Sequence, residues 1–362
     1  MNFRSLLTTA TLVLVATSTA NAHHAATASF DTSISTEIEG YVTEFRFMNP
    51  HVTIKLMVSD ADGGEREWIA TAPAVAGFRR WGWTKDILQE GQYVRLVGRK
   101  ARHDGPMILI QRADIEGGSL LELDPSDGSL VRILEGPKPD QTPDDLVAPP
   151  LKLADGRPNL SGTWLAVEPG SGPGRTFPDL NDEGQALQDA YDPQIDPAYT
   201  HCEPPGLVRS LTGIQSVRVT QSDDYVLIEQ EGDASRRLVY LDGRAAKAAE
   251  RSHLGHSSAR YEGDALIIET KQLLGGTSSG AGNALSDQTT TIERYERADN
   301  AEHAALQMTL TISDPGYLTD VWEAQWRKLQ THDYAFAETN CQLPVLTGAG
   351  FIDPGAPHIQ RQ

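Results

Sequence analysis

Cysteine, positive charge and long apolar runs are all scarce in this chain of 362 residues. Only two cysteines are present, so one disulfide is the most that the chain can form. Thirty-one Lys and Arg stand against 50 Asp and Glu, and the formal net charge of -19 excludes nucleic acid and anionic lipid as expected partners, because both carry negative phosphates. Beyond the N-terminus no segment has the roughly 20 apolar residues of a transmembrane helix.

The first 22 residues have the pattern of a cleavable secretory signal. One positive charge, Arg4, precedes the apolar run Ala10–Ala16, and Ala20-Asn21-Ala22 fits the small-x-small rule for cleavage. We therefore expect a signal peptide over 1–22, a mature chain that begins at His23 and a periplasmic or secreted protein without a transmembrane segment. The alternative is an uncleaved N-terminal anchor.

Export has a consequence for the two cysteines. An oxidising compartment favours disulfides, so the sequence predicts a bridge between Cys202 and Cys341. Such a bridge would close a loop of more than a hundred residues, for which chain entropy gives about 4 to 5 kcal/mol of stabilisation. The alternative is a pair of buried free thiols.

The fold class predicted is mainly β, and it begins with a small barrel over residues 23–117. Five short strands alternate apolar and polar residues, and a short helical connection over 73–88 separates the third strand from the fourth. That order predicts an OB-type five-stranded barrel, with a generic five-stranded roll as the alternative. The segment 118–158 loses periodicity and becomes rich in Pro and acidic residues, which predicts a linker.

A second domain is expected over 159–345, followed by a C-terminal tail over 346–362. Gly162-x-Trp164 opens it, a helix is predicted over Asn181–Tyr191, and some eight to ten strands follow, the last at Tyr334–Glu338. Tight-turn sequences at four of the connections between these strands indicate an antiparallel meander. A meander closes without exposed edges as an up-and-down, lipocalin-like β-barrel; a β-sandwich is the alternative.

Two sets of motifs resemble known but uncharacterised families. The first set resembles a family of exported bacterial proteins with an OB-like domain and consists of His23-His24, Ser29-Phe30-Asp31, Gly40–Phe45 and Asn49-Pro50-His51. The second set resembles a lipocalin-like secreted domain and consists of Leu160-x-Gly162-x-Trp164, Cys202-x-Pro204-x-Gly206, Asp242-Gly243-Arg244 and Gly255-x-Ser257 with Glu262-Gly263-Asp264. This chain departs from the second pattern at Tyr261, where such domains have Trp. The resemblance implies export and architecture but no activity.

The predicted mature N-terminus offers a metal site. Cleavage after Ala22 would place a free α-amino group beside the His23 imidazole, a pair that chelates copper, with His24 or His51 as a further ligand. Cleavage after Ala20 would instead make His23 the third residue of an N-terminal Cu(II)/Ni(II) chelate. The alternative is a frayed, solvated terminus, with the His51 ring bonded to backbone after a Pro turn.

Residues that suit acid/base chemistry cluster in the second half of the chain. His256 is the predicted base, Glu262 would orient it, and Arg244 or Arg260 would hold an anionic oxygen. The alternative is that these residues form turns and surface ion pairs. The nearby stretch Gly275–Gly282 lacks the Lys-Ser/Thr of a phosphate loop and is predicted as a loop at the barrel rim.

These features favour a non-enzymatic periplasmic binding or accessory protein in which the cavity of the C-terminal barrel accepts a small, largely apolar molecule and the OB-type domain supports it. The first alternative is an acid/base enzyme, an isomerase, lyase or hydratase, that uses the C-terminal barrel. The second is a copper-handling protein that uses the mature N-terminus, with copper as its cofactor.

Overall fold

A computed structural model describes most of the two predicted domains. The described residues are 30–49, 51–60, 62–72, 74–79, 83–102, 105–116, 120–123, 131–135, 148–165, 177–192, 196, 198, 203–213, 215–241, 250–299, 304–331, 335–339, 346–347 and 350–351. The predictions for the signal peptide, His23, His24, Arg244 and the Cys202–Cys341 bridge fall outside these residues.

The first domain is built from β-strands with one short helix. Its elements are β1 (Phe30–Arg46), β2 (Thr53–Ser59), β3 (Glu65–Thr71), α1 (Val75–Arg79), β4 (Tyr93–Ala101), β5 (Met107–Ile115), β6 (Leu120–Leu123) and β7 (Val131–Glu135). The long β1 pairs antiparallel with β2 along one half and with β4 along the other.

The five strands β1 to β5 close on themselves. β2 pairs with β3, β4 pairs with β5, and a parallel pairing of β3 with β5 joins Ile69 to Met107 and Thr71 to Leu109. This circuit, with α1 between β3 and β4, is the arrangement expected of an OB-type barrel. Gly40 allows the backbones of β1 and β2 to approach closely, because a Cβ there would collide with the Met57 carbonyl of β2. The predicted five-stranded barrel is confirmed.

Alternating burial along these strands fills the first barrel. Strand β2 alternates inward Ile54 and Leu56 with partly exposed neighbours, and β4 does the same with Val94 and Leu96. The core also contains the aromatic residues Phe78 and Trp83, which pack with ring centroids 5.2 Å apart.

Two strands lie inside the segment that the sequence predicts as a linker. β6 pairs antiparallel with β5, and β7 pairs with β6, so both extend the first sheet. The linker prediction therefore does not hold over 120–123 and 131–135. Strands of four and five residues are too short to show a clear period in the sequence.

The second domain contains the remaining elements. They are β8 (Gly162–Leu165), α2 (Asp182–Asp189), α3 (Leu207–Thr212), β9 (Val217–Gln221), β10 (Tyr225–Gln230), β11 (Arg236–Tyr240), β12 (His256–Glu262), β13 (Ala265–Lys271), β14 (Gly276–Thr277), β15 (Ala284–Leu285), β16 (Thr290–Arg297), β17 (Ala305–Ser313), β18 (Trp322–Thr331), β19 (Leu346–Thr347) and β20 (Gly350–Phe351). The last two form a small hairpin in the predicted tail.

Nine of these strands form a closed barrel in the order β8-β9-β10-β11-β12-β13-β16-β17-β18, with β18 returning to β8. The predicted closed barrel is confirmed. The expectation of purely antiparallel pairing is wrong at one place, because β11 pairs parallel with β12 through Tyr240 and Ser258. A long connection rather than a hairpin joins these two strands, and parallel neighbours require such a connection.

The predicted last strand is also corrected. Residues 335–338 are not in a strand. They lie against the first domain, where the backbone N–H of Asn49 donates to the backbone carbonyl of Glu338 at 2.8 Å. No helix among the residues described above has the length and apolar character needed to cross a lipid bilayer.

The Gly-x-Trp motif lies at the start of the second barrel, as predicted. Trp164 is fully buried, and its indole Nε1 donates to the Leu160 carbonyl at 3.0 Å. The Arg297 guanidinium stacks over the Trp164 ring at 5.5 Å and pairs with Asp299. This arrangement ties β8 to the end of β16.

The inside of the second barrel contains a buried ion pair. Arg237 donates to both oxygens of Glu293 at 2.6 and 2.5 Å, and the Tyr295 hydroxyl donates to Glu293 at 2.6 Å. Arg237 is on β11 and Glu293 on β16, which are not neighbours, so the pair crosses the interior. Burial opposes the charge on Arg237, but the Glu293 carboxylate outweighs it and raises the Arg237 pKa. Burial, followed by the same carboxylate, raises the pKa of Tyr295 well above its usual value.

Candidate functional site

A cleft of about 450 Å³ opens beside one end of the second barrel. Its volume falls in the range of roughly 300 to 1,000 Å³ that is typical of small-molecule sites. Its lining combines apolar side chains with a small group of charged and polar ones. The lining residues used below are Tyr191, Asp192, Asp196, Glu203, Pro204, Pro205, Arg209, His253, Leu273, Leu274, Thr277 and Leu285.

The first wall of the cleft follows α2. Asn181 caps this helix as predicted, since its Oδ1 accepts from the Gly184 amide at 2.9 Å. The helix ends just before Tyr191, whose ring packs so closely on Gly282 that a Cβ there would collide with it. Gly282 also has a φ of +78°, a conformation that favours glycine. The rim loop predicted over 275–282 therefore packs directly against Tyr191.

The second wall is the short helix α3. It begins after Gly206, whose φ of +88° turns the chain into the helix, and the Leu207 amide donates to the His253 carbonyl at 2.9 Å. Leu207, Val208 and Leu211 are buried in the barrel core. Arg209 is on the same helix and lines the cleft.

Arg209 and Tyr191 converge on one carboxylate. The Arg209 Nη1 donates to Asp196 Oδ2 at 2.9 Å, and the Tyr191 hydroxyl donates to the same oxygen at 2.5 Å. Burial alone would raise the Asp196 pKa, but these two hydrogen bonds outweigh burial and hold that pKa below its usual value. Asp196 therefore stays ionised at neutral pH, and its charge is balanced by Arg209.

The third wall comes from the chain after β13 and from the hairpin β14–β15. Thr277 accepts a hydrogen bond from Arg209 at 3.2 Å, which attaches the hairpin to α3. Leu273 and Leu285 are buried, whereas Leu274 leaves 43% of its surface exposed. Together with Pro204 and Pro205, these leucines give the cleft an apolar side.

His253 lies at the meeting point of α3 and the chain before β12. Its carbonyl accepts from Leu207, but its ring makes no hydrogen bond or ion pair with any residue that the structure describes. The imidazole is therefore free to contact a molecule in the cleft.

The described residues predicted for acid/base chemistry, His256, Arg260 and Glu262, lie outside the cleft lining. His256, Arg260 and Glu262 share the outer face of β12, because each is an even number of residues from the next. At about 3.3 Å per residue, His256 and Glu262 are separated by roughly 20 Å along the strand. His256 Nε2 instead bonds to the Glu250 carbonyl at 2.8 Å, and Arg260 pairs with Glu262 and Glu269 at 2.6 Å. The structure does not bring His256 and Glu262 together.

The copper prediction depends on one described residue. His51 Nδ1 lies 3.1 Å from the Ala72 carbonyl. A carbonyl only accepts, so Nδ1 carries the proton and Nε2 keeps its lone pair. Metal-binding histidines are commonly oriented in this way, but the same contact also fits the backbone-bonded alternative. Within the ranges that the structure covers, no three His, Cys, Asp or Glu residues are placed to hold a metal ion.

Asn49, the first residue of the Asn-Pro-His motif, lies at the junction of the two domains. Asn49 is fully buried; its Oδ1 accepts from the Val75 amide at 3.1 Å, and its Nδ2 donates to the Glu231 carbonyl at 3.4 Å. Arg79 donates to the Ala335 carbonyl at 2.5 Å and lies 3.9 Å from the Glu231 carboxylate. Asn49 therefore has a structural role that the sequence did not predict.

The hydrogen-bonded group around Asp196 in the cleft was not predicted from the sequence. Tyr191, Asp196 and Arg209 are spread over 19 positions without a spacing that any known motif requires. The Gly-rich stretch after Leu274 was the one local signal, since a loop at the barrel rim is a common place for binding residues. The presence of His253 in the cleft could not be predicted from the sequence, in which its one distinguishing feature is that it lies near His256.

Comparison with known proteins matches part of the first domain to a family model. Residues 11–107 match the model of a family of unknown function, DUF6152, which extends over the strands from β1 to the start of β5. The resemblance of the first domain to an uncharacterised family is thus confirmed. Comparisons with curated proteins and with solved structures found no match to this chain.

Proposed function

We propose that this protein is an exported binding or accessory protein that takes a small, largely apolar ligand in the cleft beside the second barrel. The observation that carries the proposal is the composition of the cleft: an apolar side of Pro and Leu residues faces a compact polar group around Asp196. Sites for small molecules combine these two features, because the apolar area supplies affinity and the polar group supplies orientation.

The location beside the barrel differs from the lumen site that a lipocalin-like barrel suggests. Inward side chains of the nine strands pack into one core that includes Trp164, Leu266, Met308 and Trp326. The Arg237–Glu293 pair crosses the same interior. The rim cleft, in contrast, is open to solvent and has Leu274 partly exposed within it.

The proposal is tested with octan-1-ol, which has an apolar body and one uncharged polar group. Titration into the full chain by calorimetry is expected to show saturable binding. Leu274→Gln should weaken it by roughly fivefold, because replacing part of the apolar wall costs about 1 kcal/mol. Leu238→Gln is the matched control: Leu238 is 45% exposed on the outer face of β11 and is outside the cleft. Absence of binding, or an equal loss in both variants, would refute the proposal.

A second candidate function is supported by His253. An imidazole with a free ring shares the cleft with an ionised Asp196–Arg209 pair, and this combination suits proton transfer on a bound organic molecule. The predicted acid/base enzyme would then use His253 rather than His256. On any substrate that the cleft turns over, His253→Gln should abolish turnover at unchanged melting temperature, whereas His256→Gln should leave the rate intact.

A further inference from the structure

Residues 335–339, named here the latch segment, contact both domains. They follow β18, which ends at Thr331 and closes the second barrel by pairing with β8. Beyond β18 the chain reaches the first domain, where Thr339 forms a parallel β-bridge with Asn49 and the backbone N–H of Asn49 donates to the Glu338 carbonyl at 2.8 Å. The second domain thus extends a piece of its own chain onto the first.

The first domain holds the latch segment largely through backbone atoms. Arg79, the last residue of α1, donates to the Ala335 carbonyl at 2.5 Å. The first residue of α1, Val75, donates its N–H to the Asn49 side chain at 3.1 Å, so α1 also orients the residue that bridges to the segment. Ala337 packs against the hydrophobic core of the first barrel. Main-chain hydrogen bonds combined with one small side chain in an apolar pocket are typical of a docked peptide segment.

The second domain holds the same segment through Glu231, the residue directly after β10. The Glu231 side chain is fully buried, and its carboxylate accepts from the Ala337 N–H at 2.9 Å. The Glu231 carbonyl accepts from the Thr339 hydroxyl at 3.2 Å. On β9, the Arg218 guanidinium lies over the Phe336 ring at 4.1 Å. The latch segment is therefore bound on both sides.

Direct contacts between the domains at this junction are longer than those through the latch segment. The Asn49 side chain lies 3.4 Å from the Glu231 carbonyl, and the Arg79 guanidinium lies 3.9 Å from the Glu231 carboxylate. A hydrogen bond between N–H and O is strongest near 2.9 Å, so contacts at these distances contribute little. The shorter contacts, from 2.5 to 2.9 Å, all involve the latch segment.

The described part of the covalent connection lies away from this junction. In the segment 148–158, Arg157 donates to the Ser222 carbonyl at 2.8 Å, in the turn between β9 and β10. Glu231 follows the opposite end of β10, a strand of six residues that spans about 20 Å. The first domain therefore docks at the end of β10 that is distant from these contacts.

We infer that residues 335–339 are a latch that holds the two barrels in one arrangement, and that opening the latch separates the barrels while both stay folded. Each barrel is closed and has its own hydrophobic core, so neither needs the other to bury its apolar side chains. This inference goes beyond the proposed function, because it concerns the arrangement of the domains and holds for any ligand.

The test measures amide hydrogen exchange and the radius of gyration of the full chain. Ala337→Asp places a carboxylate against the first core and beside the buried Glu231, whose charge repels it. We expect the Asn49 N–H to exchange at least tenfold faster and the radius of gyration from X-ray scattering to increase, while β17 keeps its wild-type protection. Val321→Asp is the matched control: Val321 is 55% exposed at the other end of β18, and neither quantity should change.

A second variant tests the latch without adding a charge. Arg79→Met removes the donor to the Ala335 carbonyl and should increase exchange at Asn49 and the radius of gyration in the same direction, by a smaller amount. Wild-type exchange at Asn49 in both variants would overturn the inference, as would faster exchange without a larger radius of gyration. A loss of protection in β17 of Arg79→Met equal to that at Asn49 would also overturn it, because the barrels would then unfold together with the junction.

Discussion

The buried pair Arg237–Glu293 allows the sharpest test of the second barrel. The Arg237 side chain is 8% exposed and that of Glu293 is 1% exposed, so neither charge has water available if its partner is removed. Glu293→Gln is expected to lower the free energy of unfolding by about 3 to 5 kcal/mol, because it leaves a buried guanidinium without a counter-charge. That is a large share of the roughly 5 to 15 kcal/mol typical of a folded protein. Arg237→Met should cost a similar amount, since it leaves a buried carboxylate.

The double variant separates the cost of leaving one buried charge unpaired from the net contribution of the ion pair to stability. Arg237→Met combined with Glu293→Leu replaces both charges by apolar groups and is expected to recover most of the stability, because the desolvation cost of both ions disappears. Urea unfolding followed by tryptophan fluorescence measures all three, since Trp164 and Trp326 are buried in this barrel. Glu262→Gln, which changes an exposed ion pair on β12, should leave the midpoint unchanged. Single variants that unfold at the wild-type midpoint would refute the reasoning.

Four further predictions concern titration, metal and the domain junction. Burial raises the pKa of Tyr295, so the stability that its neutral hydroxyl contributes is complete below about pH 10 and is lost as pH rises toward the folded-state pKa. Tyr295→Phe should therefore lose less unfolding free energy than the wild type between about pH 10 and higher pH, as measured by urea unfolding. The pKa of Asp196 is lowered, so the stability that its carboxylate contributes is present above about pH 4 and is lost as pH falls through the folded-state pKa. Asp196→Asn should therefore have a lower free energy of unfolding at about pH 7, and that free energy should change less with pH below about pH 4 than in the wild type. If the mature N-terminus binds copper, His51→Ala should lower copper affinity at a terminus verified by mass spectrometry, and unchanged affinity would remove His51 from the site. Asn49→Ala should lower the melting temperature by several degrees and also weaken ligand binding in the cleft, whereas an effect on stability alone would show that the two are uncoupled.

Much of the fold could be predicted from local patterns. Alternation with period 2 identifies most strands of both barrels, and turn sequences between them set the antiparallel register, as at Glu262-Gly263-Asp264 between β12 and β13. The cap at Asn181 correctly begins α2. The parallel β11–β12 pair was not predictable in this way, because no turn chemistry links two strands joined by a long connection.

The candidate site was less predictable, for a geometric reason. His256 and Glu262 are close in sequence, but a strand carries residues six positions apart to a separation of roughly 20 Å. Arg209 and Asp196 are further apart in sequence than those two residues, yet the fold brings them to 2.9 Å. The packing of α3 against the barrel, which depends on many apolar contacts, places Arg209 at this position. Contacts of that kind leave no periodic or spacing signal in a single sequence.

The domain junction and the cleft are connected by a short path through the structure. Asn49 of the first domain donates to the Glu231 carbonyl at the end of β10. Two residues later, Asp233 accepts a hydrogen bond from the Ser210 hydroxyl on α3. Ser210 is next to Arg209, which holds the charged group of the cleft. If the cleft binds a ligand as proposed, this path predicts that a change in how the first domain docks reaches the turn that positions α3 and lowers affinity in the cleft, although the first domain does not touch the ligand.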